Sequence, residues 1–220
     1  NQKNVFVKEG LAEKLIVAKK SDSSGYWVIT HQNPGTEIYV FSLDSNGLDT
    51  VPQVFNGTLA ASFTTGGAGF SKLSSDVTKL AMCQRVQTGN VEIFDFDISD
   101  GTVSNPIVIK VPANIGWSWP YGIEFSPNSQ LLYVIDNSIF PDFGSLFQWD
   151  ISSHDSTIIA NTIVTIHDSV VFTGGLQLGP DLMIYATGHE GLHRIESPDV
   201  SGLGCNLNVD FMDLNTATGW

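Results

Sequence analysis

Cysteine and basic residues are scarce in this 220-residue chain, and neither a long apolar run nor a low-complexity stretch occurs in it. Two cysteines, Cys83 and Cys205, are too few for a disulfide scaffold and have no partner at metal-ligand spacing. Ten Lys and Arg against 23 Asp and Glu give a formal net charge of −13, which repels phosphate backbones and anionic lipid surfaces and argues against nucleic acid as a partner. No apolar run approaches the roughly 18 residues needed to cross a bilayer, which argues against membrane insertion. The start has neither an initiator Met nor a signal-peptide pattern, so the chain is expected to be soluble and an excerpt of a longer protein. Charged residues make up only 15%, while hydrophobic residues reach 42% beside 21 Gly and 9 Pro; this composition suits a turn-rich β-protein with a sizeable core.

An internal repeat organises the chain. Residues 70–82, 122–133 and 175–185 superimpose, and aligning Leu73 with Phe125 and Leu178 gives steps of 52 and 53 residues. Each copy is a short strand, a polar turn ending in Asp76, Asn128 or Asp181, and a second apolar strand. A third strand follows at 91–98 and 146–151 and a fourth at 105–111 and 157–166. The N-terminal part obeys the same pattern, with strands expected at 13–18, 26–30, 36–43 and near 51–55 and a tight turn at Asn46-Gly47 matching Asp100-Gly101.

A four-stranded unit of about 50 residues does not bury both faces alone, so such units pack face to face around an axis. The expected fold is therefore all-β: a β-propeller of four-stranded antiparallel blades, about four of them, over 11–56, 57–112, 113–167 and 168–220. Segments such as 131–135 are apolar without alternation, as expected of sheets covered on both sides. Sustained helical periodicity is absent.

Residues 121–134 resemble the F-S-P-D-G-x-x-L-Y-V unit of WD-like and YVTN-type propellers, with Asn128-Ser129 in place of Asp-Gly. The succession of 27–31, 91–97, 121–127, 175–181 and the Gly204-Cys205-Asn206 segment is similar to the N-terminal propeller of large secreted surface proteins of Bacteroidetes, which continue into PKD-like modules and a gliding-motility-type sorting domain. The resemblance covers most of the chain. It implies an extracellular or cell-surface location and further blades beyond a partial propeller, which a partner chain or self-association could close. It brings no general catalytic signature.

Candidate site residues follow from the repeat. Lys72, Glu124 and Gln177 each precede the aligned apolar residue of an innermost strand, which places them on the wall of the central channel. Glu124 is there either a solvated wall residue or, in a lactonase-like alternative, a carboxylate that polarises water directly or through a divalent cation. Trp117, Trp119 and Tyr121 form either inter-blade packing or a stacking surface for a sugar or peptide. His189, Glu190 and His193 match H-E-x-x-H, but the repeat places them in a hairpin, where residues four apart lie roughly 13 Å from each other, too far for one zinc ion. Asp95, Asp97, Asp136, Asp142 and Asp150 lack the spacing of a calcium loop and are expected to be solvated. No metal or other cofactor is expected. Cys83 is expected as a small buried hydrophobe, unpaired with Cys205. These features favour a noncatalytic module that binds protein or carbohydrate, with the lactonase-like hydrolase as the alternative.

Overall fold

The computed structural model describes residues 6–61, 67–84, 89–112, 118–139, 143–170, 172–188 and 191–213. Its first sheet holds β1 (Leu11–Lys19), β2 (Gly25–Gln32) and β3 (Gly35–Asp44), with β4 (Gly47–Leu48) and β5 (Gln53–Ala61) both pairing with β3. The second runs β6 (Ser71–Leu73), β7 (Lys79–Gln84), β8 (Asn90–Asp97) and β9 (Thr102–Lys110). The third is β10 (Pro120–Phe125), β11 (Leu131–Ile139), β12 (Phe143–Asp150) and β13 (Val164–Val170), and the fourth β14 (Phe172–Leu178), β15 (Ile184–Gly188), β16 (Gly191–Ile195) and β17 (Leu207–Asp213). All neighbouring strands are antiparallel. Each sheet is built from strands consecutive in the chain, and the four sheets are the blades of a four-bladed β-propeller. No helix among the described residues is long and apolar enough to cross a membrane.

Two expectations need correction. β5 runs on to Ala61 and β13 to Val170, so the divisions expected after 56 and 167 fall inside strands. Part of the strand expected over 157–166 is instead a short helix, α1 (Ser156–Ala160). Asp155 caps it, its side chain accepting from the N–H groups of Thr157 and Ile158, and this local capping outweighs the β-preference of Ile158 and Ile159.

The first hairpin of every blade uses one turn. Ser23, Val77, Ser129 and Leu182 all take a left-handed φ of 60 to 63°, and each N–H donates to the carbonyl three residues earlier, at 2.9 to 3.1 Å. The preceding Asp22, Asp76, Asn128 or Asp181 accepts from the N–H two residues on. The polar turn is thus a self-contained unit whose Asx side chain replaces a missing backbone bond.

Among the described residues three apolar clusters fill the blade boundaries. Ile29, Ile38 and Val40 of blade one meet Leu80, Met82 and Phe94 of blade two. Ala81, Cys83 and Ile93 meet Ile123, Leu132, Val134 and Trp149 at the next boundary, and Tyr133, Ile135 and Leu146 meet Leu176, Ile184 and Ile195 at the third. Gly101 seats the first of these: its φ is +81°, and a Cβ there would lie 3.1 Å from the Trp27 ring, whose Nε1–H donates to Ile98 O at 2.9 Å.

Candidate functional site

Strand register puts the three residues expected on the channel wall at equivalent heights. Lys72 pairs with Ala81, Glu124 with Tyr133 and Gln177 with Tyr185, each across the innermost pair of strands in its blade. Backbones close in beside them: a Cβ on Gly122 would lie 2.1 Å from Gly174 O, so only glycine lets β10 and β14 approach this far. The side chains converge as a consequence. Lys72 Nζ donates to Glu124 Oε2 at 2.8 Å and to Gln177 Oε1 at 2.7 Å. Glu124 Oε2 also accepts from the Leu178 N–H at 2.9 Å, and its Oε1 from the Phe125 N–H at 3.0 Å. Positions read from a repeat 52 and 53 residues long therefore form one network joining blades two, three and four.

That network decides what the carboxylate can do. Glu124 is buried, its charge is matched by the Lys72 ammonium, and three donors hold its two oxygens. These donors occupy three of the roughly four lone-pair sites of the carboxylate, the sites that a general base or a ligand for a hard cation uses. Among the described residues no group of three or more His, Cys, Asp or Glu side chains is placed to hold a metal ion.

The aromatic trio divides. Trp117 lies outside the described residues. Tyr121 packs its ring against Phe70 of the neighbouring blade, centroids 5.4 Å apart and planes at 55°, while the Phe70 N–H donates to Tyr121 O at 2.8 Å. Trp119 is half-buried, its N–H donating to Asp136 Oδ1. Phe70 is a partner that the aromatic spacing alone did not identify.

Other sequence candidates take structural places. His189 and Glu190 lie outside the described residues, and His193, the last residue of the zincin-like pattern, sits in the strand Gly191–Ile195. His193 is buried there, accepts at Nδ1 from the Asp210 N–H at 3.0 Å, and is held below its ordinary pKa by burial. Asp97 caps its own turn through Ser99, and Asp95 contacts Asn105 and Lys79. Asp142 lies outside the described residues, and Asp150 accepts from the Ser152 N–H. Asp136, expected to be solvated, is instead fully buried and accepts from Ser118 Oγ at 3.0 Å, since the second strand of blade three is covered on both faces. Both cysteines are buried free thiols, and burial pushes Cys83 up to about 12.

A second set of polar contacts lies between blades one and two. The Lys14 ammonium is buried and donates to Gly67 O and Ala68 O, both at 3.1 Å; desolvation lowers its pKa to about 8. His31 is buried, its Nδ1 2.6 Å from Gln32 O and its Nε2 3.2 Å from Gln84 Nε2, and burial holds it down to about 4. Glu92 is also buried and accepts from the Thr58 N–H and Oγ1 at 2.6 and 2.7 Å; burial raises its carboxyl above the usual range. These groups fasten two blades and offer no open reaction centre.

No protein-family model matches the chain, and no curated protein matches it in sequence. Solved structures share its fold. It is similar to a candidate 6-phosphogluconolactonase from Bacteroides uniformis (TM-score 0.58, 14% identity, 85% of this chain and 51% of the other). A second candidate 6-phosphogluconolactonase, from Bacteroides fragilis, gives 0.56 at 15% identity over 86% and 52%. The extracellular domain of a candidate one-component system from B. thetaiotaomicron gives 0.50 at 13% identity over 91% and 22%. The chain spans about half the length of the first two, and at these identities the likeness is one of fold.

Proposed function

We propose that the chain is a noncatalytic propeller module of a secreted or cell-surface bacterial protein, presenting a rigid surface to a protein or carbohydrate. The observation that carries this reading is the engagement of Glu124, whose carboxylate accepts from Lys72 and Leu178 of the two neighbouring blades and from the adjacent Phe125 N–H. The extracellular domain that shares the fold supports the location, as does the resemblance to YVTN-type surface propellers. Tyr121, backed by Phe70, supplies the stacking face for a sugar ring or peptide. Self-association that completes an open propeller is compatible with this role.

The lactonase-like hydrolase is the second reading, favoured by the fold of the two candidate 6-phosphogluconolactonases. One set of measurements separates them: a glycan array and peptide library on wild type and Tyr121→Ala, beside lactone hydrolysis with metal analysis on wild type and Glu124→Gln. The binding module gives saturable binding weakened about tenfold or more by Tyr121→Ala, the loss of a stacked ring. It gives no lactone turnover. Metal-dependent turnover abolished in Glu124→Gln overturns it.

A further inference from the structure

The boundary between blades one and four differs from the other three. Among the described residues it has no shared apolar cluster, and it holds a cavity of about 520 Å³, lined by Leu15 and Ile16 of β1, residues 70–73 of blade two, and Leu176, Tyr185 and Leu192 of blade four. That volume falls within the range of small-molecule sites, roughly 300–1,000 Å³, and the wall is mostly hydrocarbon and aromatic, as such sites are. Leu15 is 66% exposed, so apolar area remains in contact with water that a ligand of matching character would cover.

One end of the cavity is polar, and its free groups include three donors. Ser71 is 8% exposed, and its hydroxyl has no hydrogen-bond partner. The Lys72 ammonium carries three N–H groups, of which Glu124 and Gln177 take two. Gln177 Nε2 donates to Leu178 O and keeps a second N–H. A ligand seated against Leu176 and Leu192 therefore satisfies this end by bringing an acceptor oxygen. Charge narrows the class further. Glu124 already neutralises Lys72, the protein carries a net −13, and no carboxylate lines the cavity, so an anion gains little here and a cation finds no counter-charge in the wall.

We infer that the cavity between blades one and four binds an uncharged, largely apolar molecule bearing a carbonyl oxygen, held by Ser71, Lys72 and Gln177 at one end and by Leu15, Tyr185 and Leu192 along its length. This site borders the protein or carbohydrate surface proposed above through Phe70, which lines the cavity and backs Tyr121, but the inference does not depend on that reading. Because the ligand touches blades one, two and four together, it binds the folded protein and raises its melting temperature.

Calorimetric titration and thermal melting with octanamide, octanoate and octyltrimethylammonium test this. Octanamide binds saturably and raises Tm, octanoate binds about tenfold more weakly, and the cation produces neither signal. Leu192→Glu and, independently, Leu15→Glu weaken octanamide by about tenfold or more, since each puts a carboxylate into the apolar wall. Ser71→Ala weakens it about threefold to tenfold, the loss of one hydrogen bond. Far-ultraviolet circular dichroism checks each variant for folding, and two wall variants on different blades keep the test alive if one is misfolded. The inference is overturned if octanamide binds no better than the cation, if octanoate equals it, or if both folded wall variants bind it as wild type does. Tyr121→Ala with the glycan and peptide panels reports on the other surface, so failure of either reading leaves the other standing.

Discussion

Blade three and blade one are both antiparallel sheets of strands consecutive in the chain, yet they meet the solvent differently. In blade three, Leu131, Leu132, Tyr133, Val134 and Ile135 are all buried, because the odd residues face blade four and the even ones blade two. In blade one, β1 alternates: Lys14 and Ala18 are buried toward blade two, while Leu15 and Val17 are 66% and 55% exposed. A continuous apolar strand in this architecture reports two neighbours, and an alternating one reports a single neighbour. The exposed residues of β1 are nevertheless apolar, so sequence hydrophobicity alone overstates how tightly blade one is enclosed.

Core truncation breaks the comparison most strongly. Leu132→Ala in blade three is expected to cost about 2–5 kcal/mol in urea unfolding, the range for a fully packed aliphatic side chain. Leu15→Ala in blade one stays within about 0.5 kcal/mol. Equal losses at the two sites would show that the outer face of β1 is as enclosed as β11.

Acid sharpens the same contrast, because His31 fastens blade one to blade two. Its folded pKa of about 4 lies below the ordinary 6.5, so the folded protein binds fewer protons than the unfolded chain between those values. The stabilisation is complete above pH 6.5 and is lost as pH falls toward 4, by up to about 3 kcal/mol. Glu92, raised by burial, acts in the opposite direction at the same boundary, so the His31 contribution is isolated by comparing wild type with His31→Asn. Urea midpoints at pH 7 and pH 4.5 should diverge for wild type and draw together for the variant; an unchanged difference refutes the assignment to His31.

The smallest effect concerns the shared turn. Leu182 holds φ at 63° and is 60% exposed, so Leu182→Gly relieves a left-handed side chain with little packing to lose and is expected to gain about 0.5–1 kcal/mol in thermal or urea unfolding. Val77→Gly gains less, because Val77 also packs against the cluster between blades one and two.

The blades, their hairpins and the meeting of Lys72, Glu124 and Gln177 were legible in the sequence because all three depend on periodicity: residues at one phase of a repeat around an axis must converge. The fastenings of Lys14, His31 and Glu92 were not: Gly67 and Gln84 stand 53 residues, one repeat step, from Lys14 and His31, but the residue types at those positions change from blade to blade, and Thr58 stands off that step from Glu92. The helix at Ser156–Ala160 was obscured for a related reason: Ile158 and Ile159 suit a strand, and only the capping geometry of Asp155 decides otherwise. Burial of Asp136 likewise depends on which strand of a blade it occupies and on neighbours across two boundaries.

Every sheet being drawn from one uninterrupted stretch of chain has a consequence for biogenesis. Pairing partners lie close together along the polypeptide, which keeps loop-closure entropy low. As the chain leaves the ribosome, one blade can zip up before the next has been made, and each finished blade then offers its successor a ready apolar wall to dock on.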